Sequence, residues 1–230
     1  MLSRHWLVLA LLLAPALASA DDDEVMNHPV FVAAHPDMYW RQLGQEALKA
    51  GDAREAYGHF RKSAGYADKA SQAMVAEMLW NGSGVSQDRP LAYAWMDLAG
   101  ERGYRDLVVA REKYWAALTP SERERAVAVG DKVYAEFGDA VAKPRMNTEL
   151  QRERRKVTGS RLGHVGSVRI PGSIDARGTH PVMDAASLGD VTQAAVLFAD
   201  KYWVPELYWQ WQDEMWKRGE SAQGAAPRTP

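Results

Sequence analysis

The residues of this chain best suited to chemistry are its tryptophans. Nine occur in 230 residues, and four of them lie in Trp203–Trp216, joined by Tyr202, Tyr208 and Met215. Such rings anchor protein interfaces and stack on sugars, because each pairs a large apolar face with a polar edge. Pro205 opens a helix to Arg218 in this segment. That helix puts Leu207, Trp211 and Met215 on one face and Trp209 and Trp216, seven apart, on an adjacent face. The first face is expected to turn inward as a cap on the fold. Trp209, Trp216 and Tyr208 are the candidate binding residues.

The other reactive residue types assemble nothing comparable. Thr158-Gly159-Ser160-Arg161-Leu162-Gly163 sets glycines and a hydroxyl beside basic side chains, which suits an anion held by backbone N–H groups, and it adds Arg161 to the candidates. The Gly-Lys-Ser/Thr ending of a nucleotide loop is missing, so a basic solvated linker is the favoured reading. There is no Gly-x-Ser-x-Gly elbow, no Ser-x-x-Lys and no His-Glu-x-x-His. His28 and His35 flank prolines and read as solvated side chains. His164 and His180, with Asp175 and Asp184 nearby, fit no hydrolytic spacing. The sequence therefore predicts no catalytic residue, no metal ligand set and no cofactor.

The ends of the chain bear on compartment. Arg4 and His5 precede an unbroken apolar run from Trp6 to Leu13, and Ala18-Ser19-Ala20 gives the small-x-small pattern of a signal-peptidase site. Cleavage after Ala20 is expected, leaving a mature chain that starts at Asp21. No cysteine is present, which excludes a disulfide framework and a lipidated cysteine. The formal net charge is −2, or −3 once Arg4 is lost with the leader, and no basic footprint for nucleic acid exists. Nothing after the leader is apolar for long enough to span a membrane. A periplasmic location is the first reading and full secretion the second.

The elements that must carry the tryptophans repeat. Leu43, Asp52, Ala56 and Tyr57 recur 36 residues later as Leu79, Asp88, Ala92 and Tyr93. A period of that size predicts helical hairpins that stack because one hairpin cannot bury its own apolar stripe. The first hairpin runs from Asp37, turns at Gly51, and restarts with Asp52 as N-cap and Glu55 three residues on. The second ends its first helix at Asn81-Gly82-Ser83-Gly84 and restarts at Asp88 and Pro90, with Ala92, Trp95 and Ala99 inward. A third, degenerate pair follows over Arg105–Leu118 and from Thr119-Pro120-Ser121-Glu122. Its last helix is expected to turn Ala126, Val127, Gly130, Val133, Tyr134 and Phe137 inward.

The stretch Asn81–Asp88, then Ala92, Trp95, Leu98-Ala99 and Gly103-Tyr104, resembles the Sel-one-like repeat, a relative of the tetratricopeptide repeat. The likeness covers Asp37 to Phe137. The first copy lacks the Gly-x-Gly-Val loop, and the third rests on spacing alone. The resemblance implies an α-solenoid that serves as an adaptor in protein assemblies. A cysteine-rich branch of that family is associated with penicillin binding, and this cysteine-free chain does not resemble it. The expected fold is thus all-α, a short α-solenoid of two to three hairpins. Its organisation is a signal peptide over 1–20, an extended leader over 21–36, the repeats over 37–140, a basic and glycine-rich extension over 141–204, the aromatic helix over 205–218 and a disordered tail over 219–230. The expected function is a non-catalytic protein-binding adaptor or scaffold of the bacterial cell envelope, with one or more envelope proteins as partners. The alternative is a peptidoglycan-binding module that uses Trp209 and Trp216.

Overall fold

The computed structural model describes residues 20–158, 168–169, 182–183 and 196–224, which form an all-α, helical-repeat-like fold. Two short helices come first, α1 (Ala20–Asn27) and α2 (Pro29–Ala34), where the prolines had predicted an extended leader. Pro29 lies in the first turn of α2, and Pro36 in the first turn of α3 (Pro36–Lys49). A proline at that position forfeits no helical hydrogen bond and brings the right φ, so both prolines start helices here. His28, read as solvated, caps α2 by accepting the Val30 N–H at 3.3 Å.

Three hairpins follow. Two of them pack as expected, α3 with α4 (Ala53–Ala64) and α5 (Lys69–Asn81) with α6 (Arg89–Ala99), whereas in the third α7 (Arg105–Ala117) and α8 (Pro120–Phe137) each pack on α6 and hardly touch one another. The recurrence read from sequence is a recurrence of caps. Asp52 accepts the Glu55 N–H at 2.9 Å, and Asp88 accepts the Leu91 N–H at 3.1 Å. Each satisfies a donor that the helix start leaves open. Thr119 and Glu122 close a reciprocal capping box at the start of α8. Ala56, Ala92 and Ala99 are completely buried, with Leu79 and Trp95 nearly so, while Leu43 is half-buried. In α8, Ala126, Val133 and Phe137 face inward as expected, but Val127 is 65% exposed and Gly130 only partly buried.

The glycines of the α5–α6 turn differ in what they permit. Gly82 (φ 69°) ends α5 in the left-handed region, and Gly84 (φ 70°) lies against the start of α4. A Cβ on Gly84 would stand 2.2 Å from the Ala53 carbonyl, whereas one on Gly51 (φ 84°) would meet nothing within 4 Å. Gly51→Ala therefore carries only the conformational penalty, about 1–2 kcal/mol. Gly84→Ala adds a backbone clash between consecutive hairpins and is expected to cost clearly more. Urea melts of the two variants compare them directly. Equal losses would show that the hairpins do not touch at this turn.

Two cores result. The first fills the hairpins, with Phe60, Met78, Met96, Leu98 and Leu107 among its fully buried members. The second joins the two ends of the chain. Val30, Phe31 and Met38 meet Met146, Leu150, Leu197, Tyr202, Trp203, Tyr208 and Trp211. Between them runs α9 (Asp139–Thr158), a regular helix over the first part of what the sequence reads as a basic and glycine-rich extension. It leaves α8 at Gly138 and packs against α2 and α3, with Met146 and Leu150 completely buried. Within the same extension β1 (Val168–Arg169) pairs antiparallel with β2 (Val182–Met183). Last come α10 (Asp200–Trp203) and α11 (Pro205–Gly224), so the aromatic helix continues beyond Arg218 into the segment expected to be disordered. Among the described residues no helix is long and apolar enough to cross a membrane.

Candidate functional site

The aromatic helix α11 lies on the hairpins, and the phase of its faces differs from the expected one. Tyr208 and Trp211 are buried, Gln212 is 7% exposed, and Leu207, expected inward, is 37% exposed. The inward stripe is thus Tyr208, Trp211, Gln212 and Met215, at i, i+3, i+4 and i+7. Tyr208 is a completely buried structural residue, closed to any ligand from outside. Its hydroxyl donates to Asp37 Oδ2 at 2.5 Å, and Gln212 Nε2 donates to the same oxygen at 3.0 Å. Asp37 Oδ1 is buried with no partner. Burial raises the Asp37 pKa, Asp68 adds to the rise, and His35 opposes it.

His35 is the pivot between α3 and the C-terminal helices. It is fully buried, not solvated, and stacks on Phe31 at 3.8 Å between ring centroids. Nδ1 lies 2.7 Å from the Phe31 carbonyl and Nε2 2.8 Å from the Tyr202 carbonyl. A neutral ring supplies one of these carbonyls with a proton and an imidazolium supplies both. Burial holds the pKa below the ordinary histidine value, against the pull of Asp37 and the two carbonyls. Nearby, Arg41 at 2.8 Å and the Ser71 hydroxyl at 2.6 Å both donate to Asp68, and Ser63 donates to the Asp37 carbonyl.

A second polar seam ties α11 and α9 to the hairpins. Arg102 donates twice to Asp139, from Nε at 2.7 Å and from a terminal nitrogen at 3.1 Å, and once to the Ala67 carbonyl. Lys69, with a fully buried side chain, reaches Glu101 at 2.8 Å, Asp139 at 3.0 Å and the Leu98 carbonyl. Although burial opposes it, the bonds from Arg102 and Lys69 hold the Asp139 carboxyl well below the usual carboxylate range. Tyr104 donates to Asp213 of α11 and stacks on Trp216 at 4.7 Å. Trp209 donates to Asn147 at 2.8 Å, and the cations of Arg102 and Lys143 stand 4.9 and 5.0 Å from its ring.

Of the candidate binding residues, then, Tyr208 is inside, and Trp209 and Trp216 are half-buried with their rings already engaged by the chain. Arg161 and the loop around it lie outside the described residues, as do His164, His180, Asp175 and Asp184. Among the described residues no group of three or more His, Cys, Asp or Glu is placed to hold a metal. The buried ionisable groups His35, Asp37 and Lys69, and the half-buried Asp139, went unread in the sequence because their partners lie far along the chain. The one local signal was the 35–37 triplet, where a histidine and an aspartate bracket a helix-starting proline.

Glu77 is the other buried acid with an open oxygen. It is 1% exposed, and its Oε2 has no partner. Burial raises its pKa above the ordinary glutamate value. A carboxyl with a raised folded pKa contributes stability below its unfolded pKa and loses that contribution as pH rises through the folded value. Glu77→Gln removes this titration. The variant is expected to melt above the wild type at pH 7, with the gap closing toward pH 4. A gap that stays constant with pH would rule out a buried carboxylate as its origin.

Comparison with known protein families, curated proteins and solved structures gives no match to this chain.

Proposed function

We propose that the chain is a non-catalytic, protein-binding adaptor of the bacterial cell envelope, a Sel-one-like repeat protein exported to the periplasm. The observation that carries the reading is the stacked hairpins whose caps recur with the sequence period, an architecture that presents side chains rather than a catalytic cleft. The polar contacts support it, since Lys69 and Arg102 both hold Asp139 and Tyr208 holds Asp37, each tying one helix to another. Two apolar side chains are left open to solvent for a partner to meet, Val109 of α7 at 45% exposed and Val127 of α8 at 65% exposed.

The test is affinity capture from envelope extract with the mature chain, run beside a Val109→Glu, Val127→Glu double variant. A specific partner is expected on the wild type and absent from the double variant, with both proteins melting together. Equal capture on both, or none on either, counts against the reading. The glycan alternative has less to stand on, because Trp209 and Trp216 each have ring contacts within the chain. Calorimetry with soluble peptidoglycan fragments separates the two readings.

A further inference from the structure

Helix α1 packs into the second core through Val25 and is tied to the C-terminal helices by a buried carboxylate. Asp22 is 2% exposed, and four of its partners belong to the C-terminal helices. Oδ1 accepts from Lys201 Nζ at 2.6 Å, the Tyr202 hydroxyl at 2.7 Å and the Trp211 indole N–H at 3.3 Å, while Oδ2 accepts from Arg218 at 3.1 Å. Two of these donors sit on completely or nearly buried rings. The other two are cations at the rim, with side chains 43% and 39% exposed. The site thus has a rigid neutral floor and a charged, solvent-facing edge.

We propose that Lys201, Tyr202, Trp211 and Arg218 form a carboxylate-binding site whose resident ligand is Asp22. Packing alone asks for no such arrangement, because a buried ion destabilises the fold unless its lone pairs are met by charge and hydrogen bonds. Four donors on one carboxylate meet that demand. Arg218 gives a second, independent sign. Its Nε is buried without a partner, so Asp22 takes only a terminal nitrogen of the guanidinium fork. A carboxylate released from the main chain can turn to meet Nε and the terminal nitrogen together, the bidentate geometry that an arginine fork favours. The ligand class is therefore a small carboxylate, and the chain supplies one itself.

The experiment is chemical rescue in the full chain. Asp22→Ala removes the resident carboxylate and leaves room for a small anion. Its melting temperature is expected to fall by several degrees, and formate or acetate should restore it saturably. Chloride at the same ionic strength should not. Asp22→Asn keeps the shape without the charge and should gain nothing from acetate. Adding Arg218→Met to Asp22→Ala should abolish the rescue. If Asp22→Ala does not fold unaided, refolding from urea in each salt gives the same comparison. Refolding with formate or acetate alone supports the site, and refolding in none of the salts overturns it. An unchanged melting temperature in Asp22→Ala, or rescue by chloride equal to that by acetate, also overturns it.

Discussion

Trp211→Ala is expected to lower the unfolding free energy by about 3–5 kcal/mol, the range for deleting a large core ring. The ring is 3% exposed and stands edge-on to Phe31 and Tyr202, with centroids 6.2 and 5.0 Å away, while Tyr208 lies 5.5 Å away. Its removal opens a cavity that the rigid neighbouring rings cannot fill. It also deprives the buried Asp22 of a donor. Leu207→Ala, one turn away on the outer face, is expected to stay within about 0.5 kcal/mol of the wild type. Urea denaturation of the two variants measures both. If Leu207 proved the costlier position, the rotation of α11 described above would be wrong.

Arg102→Met should be of similar size, about 3–5 kcal/mol, because it leaves one partner of a buried ion pair behind. The Ala67 carbonyl and the Asp139 carboxylate lose donors, and Trp209 loses a cation. The double variant with Asp139→Asn should be less than additive, since the second change neutralises the charge stranded by the first. Acid titration gives an independent reading. The folded pKa of Asp139 lies below its ordinary 3.8, so its contribution is present above that pH and is lost as protonation reaches the folded value. Arg102→Met should accordingly lose less stability on acidification than the wild type. An equally steep acid limb would place the pairing energy elsewhere.

The hairpins were legible in the sequence because their signals are local. Asp52 and Asp88 cap the helix that begins beside them, and Ala92 and Ala99 are small where neighbouring helices come close. Gly82 and Gly84 mark a turn for the same reason. The second core left no comparable trace. His35 meets a carbonyl 167 residues away and Tyr208 an aspartate 171 residues away, and no spacing rule reaches that far. The leader was misread because a proline serves extended chain and the first turn of a helix equally well. What decides between them at Pro29 and Pro36 is the apolar run Val30-Phe31-Val32, which needs a core to enter. The phase of α11 was misassigned for a different reason. Leucine looked like the inward residue and tyrosine the outward one, but a buried acid on α3 gives the Tyr208 hydroxyl a partner. The candidate site, in consequence, was half legible: the aromatic helix was found, and which of its rings point inward was not.

The joining of both chain ends in one core sets the order of events as the protein is made. The hairpins draw on near neighbours and can assemble while synthesis continues, whereas the contact of Asp22 with Tyr202 closes a loop of 180 residues. Until α11 emerges, Val30, Phe31 and Met38 lack the rings of Tyr208 and Trp211, and the first helices wait beside a stack that is already folded. Completion of the last helix is therefore the step that closes this core, and a nascent chain stalled before Pro205 leaves its first helices without Tyr208 and Trp211 over them.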